Sequence, residues 1–197
     1  MGVGILYIHS ERARCNWIQQ LLDELKLDVE VKYGYSPQFE KDFPLKKFPA
    51  FISTDGWKLS ETPAILQYLI ALSPQNEMLS GITNKEKAKV LQWVSFFSQD
   101  FVNAIIMIVI HFKNDSDRRQ GWIRIGKNFL EYVDQSLANG CHLWLATEYI
   151  TIADIHAYKC LKDYAPILGG TEKYCHIEKF MANLERVAPV YKDKIVR

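Results

Sequence analysis

The thiols, one hydroxyl and a few well-placed charges bound the chemistry this chain can do. Cys15, Cys141, Cys160 and Cys175 form no Cys-x-x-Cys pair and fall at no Cys/His metal-ligand spacing, so no metal centre is expected. Four cysteines in 197 residues need no disulfide framework, and reduced thiols are the expectation. Cys15 sits where the first helix is expected to begin, a position that can lower a thiol pKa. In the same register its small side chain points into the core, the commoner fate of a cysteine. Just before it, residues 10–14 put Ser10, Arg12 and Arg14 in one polar patch, while His9 reads as a strand-end or loop residue. Farther on, Ser60-Glu61-Thr62-Pro63 opens a helix. Thr62 suits the N-cap, and Pro63 suits the first turn because its missing N–H would have had no partner there. Thr151-Ile-Ala-Asp154 precedes an apolar run and reads as a capping box with Asp in place of Glu, a folding device and not a reactive pair.

The elements that must position these groups follow from periodicity. Residues 4–8 form a short apolar strand. Trp17, Ile18, Leu21, Leu22 and Leu25 then make the stripe of an amphipathic helix starting near Cys15. Val29, Val31 and Tyr33 alternate with polar neighbours as a second strand, and such a crossover gives a parallel pair. Ala50-Phe51-Ile52 and Trp57-Lys58-Leu59 flank Thr54-Asp55-Gly56, a strong hairpin signal. Ile65, Leu66, Leu69 and Leu72 supply the buried face of the next helix, which Ser73-Pro74 ends.

Beyond residue 84 no strand is expected. Residues 85–110 read as one long helix or two merged ones, with Val90, Leu91, Trp93, Val94 and Phe97 on one stripe and the 101–110 stripe buried against neighbouring helices. A helix over 116–138 is closed by Asn139-Gly140, and a last one runs from about 171 to 187. The fold class is therefore α/β plus all-α: a sheet domain over 1–73, a polar linker over 74–84 and an all-helical domain over 85–197.

Composition excludes whole classes of function. Lys and Arg total 24 against 23 Asp and Glu, a net charge of +1, so no global basic field is available to hold nucleic acid. With 48% hydrophobic and 24% charged residues the chain is not a mostly disordered one. The first ten residues lack the pattern of a signal peptide, and the apolar segment 101–110 is about half the length of a bilayer span. A cytoplasmic protein with no membrane partner is the expectation.

Three segments carry a family resemblance. Lys47-Phe48-Pro49-Ala50-Phe51, then Leu59-Ser-Glu61-Thr62-Pro-Ala-Ile65, then Thr151-Ile-Ala-Asp154 resemble, in order and spacing, the signatures of cytosolic glutathione transferases. Within that family, Leu27-Asp28-Val29, Asp42-Phe43-Pro44-Leu45-Lys46-Lys47 and Leu91-Gln92-Trp93-Val94-Ser95-Phe96 resemble the transferase-like N-terminal module of the elongation factor 1 gamma subunit. The resemblance implies a thioredoxin-like first domain, a helical bundle after it, and glutathione as ligand or co-substrate. It also implies site residues. Phe48, before a cis Pro49, would offer its backbone to the cysteinyl part of glutathione as an added strand would. Glu61 would accept from the γ-glutamyl ammonium, and Thr62 at a helix N-terminus would bind the adjoining carboxylate. Lys47 would meet the glycyl carboxylate. Each has a plainer reading: an edge proline, a solvated acid, a cap, a surface lysine beside Lys46.

The family lowers the pKa of the glutathione thiol with a Tyr or Ser hydroxyl, or forms a mixed disulfide through a Cys, near the start of the first helix. The register here puts Arg12 where the serine would stand, with Ser10 two residues early and Tyr7 inside the strand. Ser10 and Arg12 are thus the catalytic candidates, and Arg12 is no hydroxyl donor. Trp93, Phe97, Phe101 and His111 are candidates for a hydrophobic-substrate site, with core packing as the alternative for most of them. The resemblance implies a glutathione-binding protein of the elongation factor 1 gamma type, weakly catalytic or an assembly module in translation elongation. Its partners would be a second copy and other elongation factor 1 subunits. A true glutathione transferase conjugating electrophiles is the alternative, and a scaffold without glutathione the third.

Overall fold

A computed structural model describes residues 2–140 and 142–191, without the side chains of residues 74–76; Cys141 lies outside the described residues. The first part runs β1 (Gly4–Ile8), α1 (Ile18–Leu25), β2 (Val29–Tyr33), α2 (Pro37–Asp42), β3 (Ala50–Ser53), β4 (Lys58–Ser60) and α3 (Thr62–Ala71). The strand order is β2-β1-β3-β4. β1 and β2 are parallel, with Leu6 opposite Val31, while β3 pairs antiparallel with β1 and with β4, setting Phe51 beside both Leu6 and Leu59. This is the thioredoxin-like arrangement expected from the sequence.

β1 is apolar throughout because it is central. Tyr7 packs on Phe39 of α2 and on Phe43, while Leu6 and Ile8, on the opposite side of the pleat, are fully buried. Gly4 lets β1 approach β3: a Cβ there would stand 2.3 Å from the Ile52 carbonyl oxygen. The Asp55-Gly56 hairpin forms as expected, with Gly56 at φ +89° and the Asp55 carboxylate accepting from the Trp57 N–H.

Two helix starts differ from expectation. α1 begins at Ile18, and Cys15 lies in the turns before it, where the Cys15 and Asn16 N–H groups both bond the Arg12 carbonyl. Asn16, the natural capping side chain there, donates instead to Asp163, 3.1 Å away. Helix α3 begins at Thr62 itself, so Thr62 is the first helical residue and Glu61 holds the cap position at φ +75°, ψ +126°, with no capping hydrogen bond.

The second part is helical: α4 (Asn84–His111), α5 (Ser116–Asn139), α6 (Ile152–Tyr164) and α7 (Cys175–Val187), with no strand among its described residues. The stretch expected as a linker holds a short 3-10 helix, Pro74–Ser80. A capping box of Thr83 with Glu86 starts α4, and the expected box of Thr151 with Asp154 starts α6. α4 is continuous but has two π-helical segments, Phe97–Phe101 and Met107–His111. Its phase therefore shifts, and the expected stripes hold only in part: Val90, Trp93, Val94, Phe97, Phe101 and Ile108 are buried, while Leu91, Val109 and Ile110 are exposed. Merged in this way, the helix contains an 18-residue window of mean hydropathy 1.6, long and apolar enough to cross a membrane, of which 50% is buried inside the fold.

Gly140 ends α5 at φ −71°, ψ +147°, in extended rather than left-handed conformation. α7 starts at Cys175, later than expected, because its cap comes from another helix: Asp134 of α5 accepts from the N–H groups of His176 and Ile177. The two parts are tied at α1. Trp17 lies between the rings of His156 and Tyr191, at centroid distances of 5.7 and 6.1 Å, and Gln20 donates to the Val190 carbonyl at 2.8 Å.

Candidate functional site

A cavity of about 360 Å³ opens where the loop after α2, the end of β4 and the start of α3 face α4. Its lining includes Lys47, Phe48, Pro49, Glu61 and Thr62, so the fold gathers all five expected binding residues. The Phe48 ring stacks on Phe39 at 4.4 Å and is buried. Its main chain is left to the cavity: the Phe48–Pro49 bond is cis, and neither the Phe48 N–H nor its C=O has a backbone partner among the described residues. A free donor and acceptor on one residue is what an extended peptide needs to dock by its own backbone.

The two adjacent lysines separate. Lys46 bonds Glu40 at 2.5 Å, whereas Lys47 makes no ion pair among the described residues and lines the cavity. At the rim Lys58 holds Asp42 at 2.8 Å, and that hydrogen bond keeps the Asp42 carboxyl below the usual carboxylate range. On the far side, Pro63 contributes no N–H, and the Thr62 and Ala64 N–H groups in the first turn of α3 have no backbone acceptor among the described residues. That end of the helix favours an anion. Beside it the exposed Glu61 carboxylate accepts from Gln99 Nε2 at 3.3 Å.

A second, larger cavity of about 840 Å³ adjoins the first, and Arg14, Lys47, Ser98 and Gln99 line both. It continues over Val102, Ile105, Ile106, Val109 and Ile110 of α4, facing His9, Arg12 and Tyr164. Its apolar wall is thus one side of α4, on which Val109 and Ile110 are exposed while Val102 and Ile105 are buried. Trp93, Phe97 and Phe101, expected as candidates for such a site, are core residues instead, and His111 is not among its lining residues. Trp93 precedes the first π segment and Phe97 and Phe101 bound it, and all three rings face the core, leaving only Val109 and Ile110 of the later aliphatic residues exposed.

The catalytic candidates are not gathered in the same way. Ser10 is exposed on the turn after β1 and lines neither cavity, because β1 runs on through Ile8 and carries the turn away from the site. Arg12 lines the larger cavity, its guanidinium 5.6 Å from the Phe48 ring centre and donating to the Tyr35 hydroxyl. Cys15 is fully buried, and burial pushes its thiol up to about 11, so it carries no thiolate at neutral pH. His9 packs against Phe48 and Tyr35 and accepts the Glu11 N–H on Nδ1.

Several lining residues carry no signal in the sequence. Arg14 stands in the polar patch beside Arg12, yet it is Arg14 that reaches the smaller cavity. Ser98 is 3% exposed, and its Oγ lies 2.9 Å from Nε2 of His156, which is fully buried on α6. Burial, with a smaller contribution from the Arg14 charge, pushes the His156 pKa down to about 3, so the ring is neutral. Taken together, the smaller cavity presents a backbone donor–acceptor pair, an unpaired ammonium, a helix N-terminus and a carboxylate. Those groups fit a short extended peptide that has free carboxylates at its ends and an amine.

Comparison with known proteins fits this chemistry. Residues 2–71 match the family described as glutathione S-transferase, N-terminal domain. The chain is 29% identical over 196 residues to glutathione S-transferase Y-2 of Pichia kudriavzevii, covering 98% of this chain and 100% of that one. It is 30% identical over 207 residues to elongation factor 1-gamma 1 of Saccharomyces cerevisiae, covering 98% of this chain and 49% of the factor, about half its length. The crystal structure of a glutathione S-transferase from Pichia kudriavzevii superposes with a TM-score of 0.79 at 30% identity, over 94% of this chain and 93% of that one.

Proposed function

The chain belongs to the glutathione S-transferase family, and on that premise we propose that its smaller cavity binds glutathione. The observation that carries this reading is the convergence of Lys47, Phe48, Pro49, Glu61 and Thr62 on one cavity of about 360 Å³. The Phe48 main chain takes the cysteinyl unit, Lys47 the glycyl carboxylate, Thr62 and the α3 N-terminus the γ-glutamyl carboxylate, and Glu61 the ammonium.

The protein is a glutathione-binding, transferase-like member of the elongation factor 1 gamma type, as its 30% identity to that factor along 98% of its own length supports. It is weakly catalytic or acts by protein contacts, because Ser10 lies outside both cavities and Arg12 is occupied with Tyr35 and Phe48. Homodimerisation, a cytoplasmic location and contact with other elongation factor 1 subunits belong to the same proposal. A second reading, a dedicated transferase, is favoured by the full-length match to the Pichia enzyme and by the cavity of about 840 Å³, walled on one side by aliphatic residues of α4, that adjoins the smaller one.

Calorimetric titration of glutathione into the purified chain, followed by a conjugation assay with an activated aryl chloride, tests both. Binding with slow or no turnover supports the first reading. Brisk turnover supports the second. Absence of binding overturns the glutathione assignment.

A further inference from the structure

Ser98 and His156 form a buried pair that the family signatures do not include. They come from α4 and α6, and the Ser98 side of the pair faces the junction of the two cavities. That junction is where a thiol held by Phe48 would meet an electrophile entering from the larger cavity. The charged groups around it are Arg14, Lys47 and Arg12, against Glu61, Glu11 and Asp100.

The pair is built to orient a hydrogen bond, not to create a nucleophile. His156 Nδ1 is buried without a partner, so no carboxylate holds the imidazole in the role of a base. The missing partner also selects the tautomer. A proton on Nδ1 would be a buried donor with nothing to bond, and such donors are rarer than unsatisfied acceptors. With the proton on Nε2, His156 donates to Ser98 Oγ, and the Ser98 hydroxyl hydrogen is free to turn toward the cavities. A neutral His156 is consistent with this direction.

We propose that the Ser98 hydroxyl, oriented by His156 and aided by the Arg14 charge, is the group that stabilises the thiolate of bound glutathione. This rests on the glutathione reading above, and it relocates the activating hydroxyl from the start of the first helix to α4. In the step, the glutathione S–H bond breaks, its proton passes to solvent through the open cavity, and the electron pair stays on sulfur. The thiolate accepts the Ser98 O–H hydrogen bond. Sulfur then bonds the aryl carbon of an activated aryl chloride, and chloride leaves with the carbon–chlorine pair. Ser98 touches the reacting sulfur and is a catalytic residue; His156 is a positioning residue.

Three other hydroxyls line the cavities: those of Ser60 and Thr62 stand at the α3 end of the smaller one, and that of Tyr164 is the competitor on the electrophile side. Tyr164 lines the larger cavity only, and its oxygen already accepts the Ala13 N–H at 3.0 Å. The experiment is glutathione affinity by calorimetry, the bound thiol pKa by thiolate ultraviolet absorbance, and aryl chloride turnover, each in wild type, Ser98→Ala, His156→Phe, His156→Gln and Tyr164→Phe. Ser98→Ala is expected to keep affinity within about threefold, raise the bound thiol pKa by about one unit and cut turnover about tenfold to hundredfold. His156→Phe should follow it, and His156→Gln, which restores a side-chain N–H donor, should recover part of the loss. Ser98→Ala with an unshifted thiol, or with glutathione binding abolished, overturns the assignment even if the histidine variants fail to fold. So does a shift that appears in Tyr164→Phe instead. Wild-type chain that binds no glutathione overturns the binding reading and this one together, which the calorimetric arm shows separately.

Discussion

Replacing Glu61 with glycine should make the protein more stable and, at the same time, weaken its hold on glutathione. Glu61 sits at φ +75°, ψ +126°, outside the regions open to a residue with a Cβ. Such a conformation costs about 1–3 kcal/mol. Glycine removes that cost but loses about 0.5–1 kcal/mol through the extra freedom of the unfolded chain. The exposed hydrogen bond from Gln99 at 3.3 Å goes too, worth about 0.5 kcal/mol. The balance spans about −0.5 to +2 kcal/mol and centres on a gain of about 0.75 kcal/mol, or about 1.5–3 °C in Tm for a chain of this size. Glu61→Ala keeps the Cβ and therefore the strain, so its Tm should stay at or below that of wild type. Both variants lose the carboxylate partner of the glutathione ammonium, about 1.5–3 kcal/mol, which is roughly tenfold to 150-fold in Kd. Differential scanning calorimetry and glutathione titration on the three proteins give the answer. A glycine variant that melts below the alanine variant refutes the strain argument. Unchanged affinity in both variants refutes the role of the carboxylate.

Lys47→Ala should weaken glutathione about tenfold and flatten the salt dependence of binding, while Lys46→Ala, whose ammonium is bound to Glu40, should leave affinity unchanged; isothermal titration at two ionic strengths separates them. Asp154→Ala should cost about 3–5 kcal/mol in urea unfolding, because it orphans the buried N–H groups of Leu145 and Thr151, each held at 2.8 Å, and Asp154→Asn should cost less. Stability should fall as pH drops. His156, with a folded pKa of about 3 against 6.5 unfolded, contributes stability that is present above pH 6.5 and lost as pH falls toward 3. Asp154 works the other way, its contribution present below pH 3.8 and lost as pH rises through about 6, but its shift is the smaller of the two. Melting curves from pH 7 to 4 should therefore decline in wild type, and in His156→Gln that decline should vanish or reverse as Asp154 alone remains; parallel curves would count against the buried neutral histidine.

Local chemistry made much of this fold readable. The Asp55-Gly56 turn, the Thr151–Asp154 box and the Trp17 to Leu25 stripe each depend on neighbours a few residues away, and each stands as expected. What the sequence hid involves partners far along the chain. Asn16 forgoes capping α1 because Asp163 is within reach, and Asp134 caps α7 from another helix. That Lys47, Phe48, Pro49, Glu61 and Thr62 would line one cavity was legible because Lys47 to Pro49 and Glu61-Thr62 are contiguous runs at a loop and a helix start. Arg14, Ser98 and His156 converge from α1's approach turn, α4 and α6, and no spacing in the sequence announces them.

The π segments of α4 bear on how this helix can change over generations. Each holds one residue more than an α-helical turn would, so each is an insertion absorbed without unwinding the helix. Removing one residue between 97 and 101 would restore the ordinary ladder and leave everything after it facing nearly as it does now, because the wide turn already takes up the extra residue. Val102, Ile105 and Ile106 would keep their places along the larger cavity, and Trp93, Val94 and Ile108 theirs in the core. A single-codon deletion or insertion at this point thus leaves both the core and the cavity wall standing, so the lineage can change the length of its longest apolar helix without rebuilding the scaffold around it.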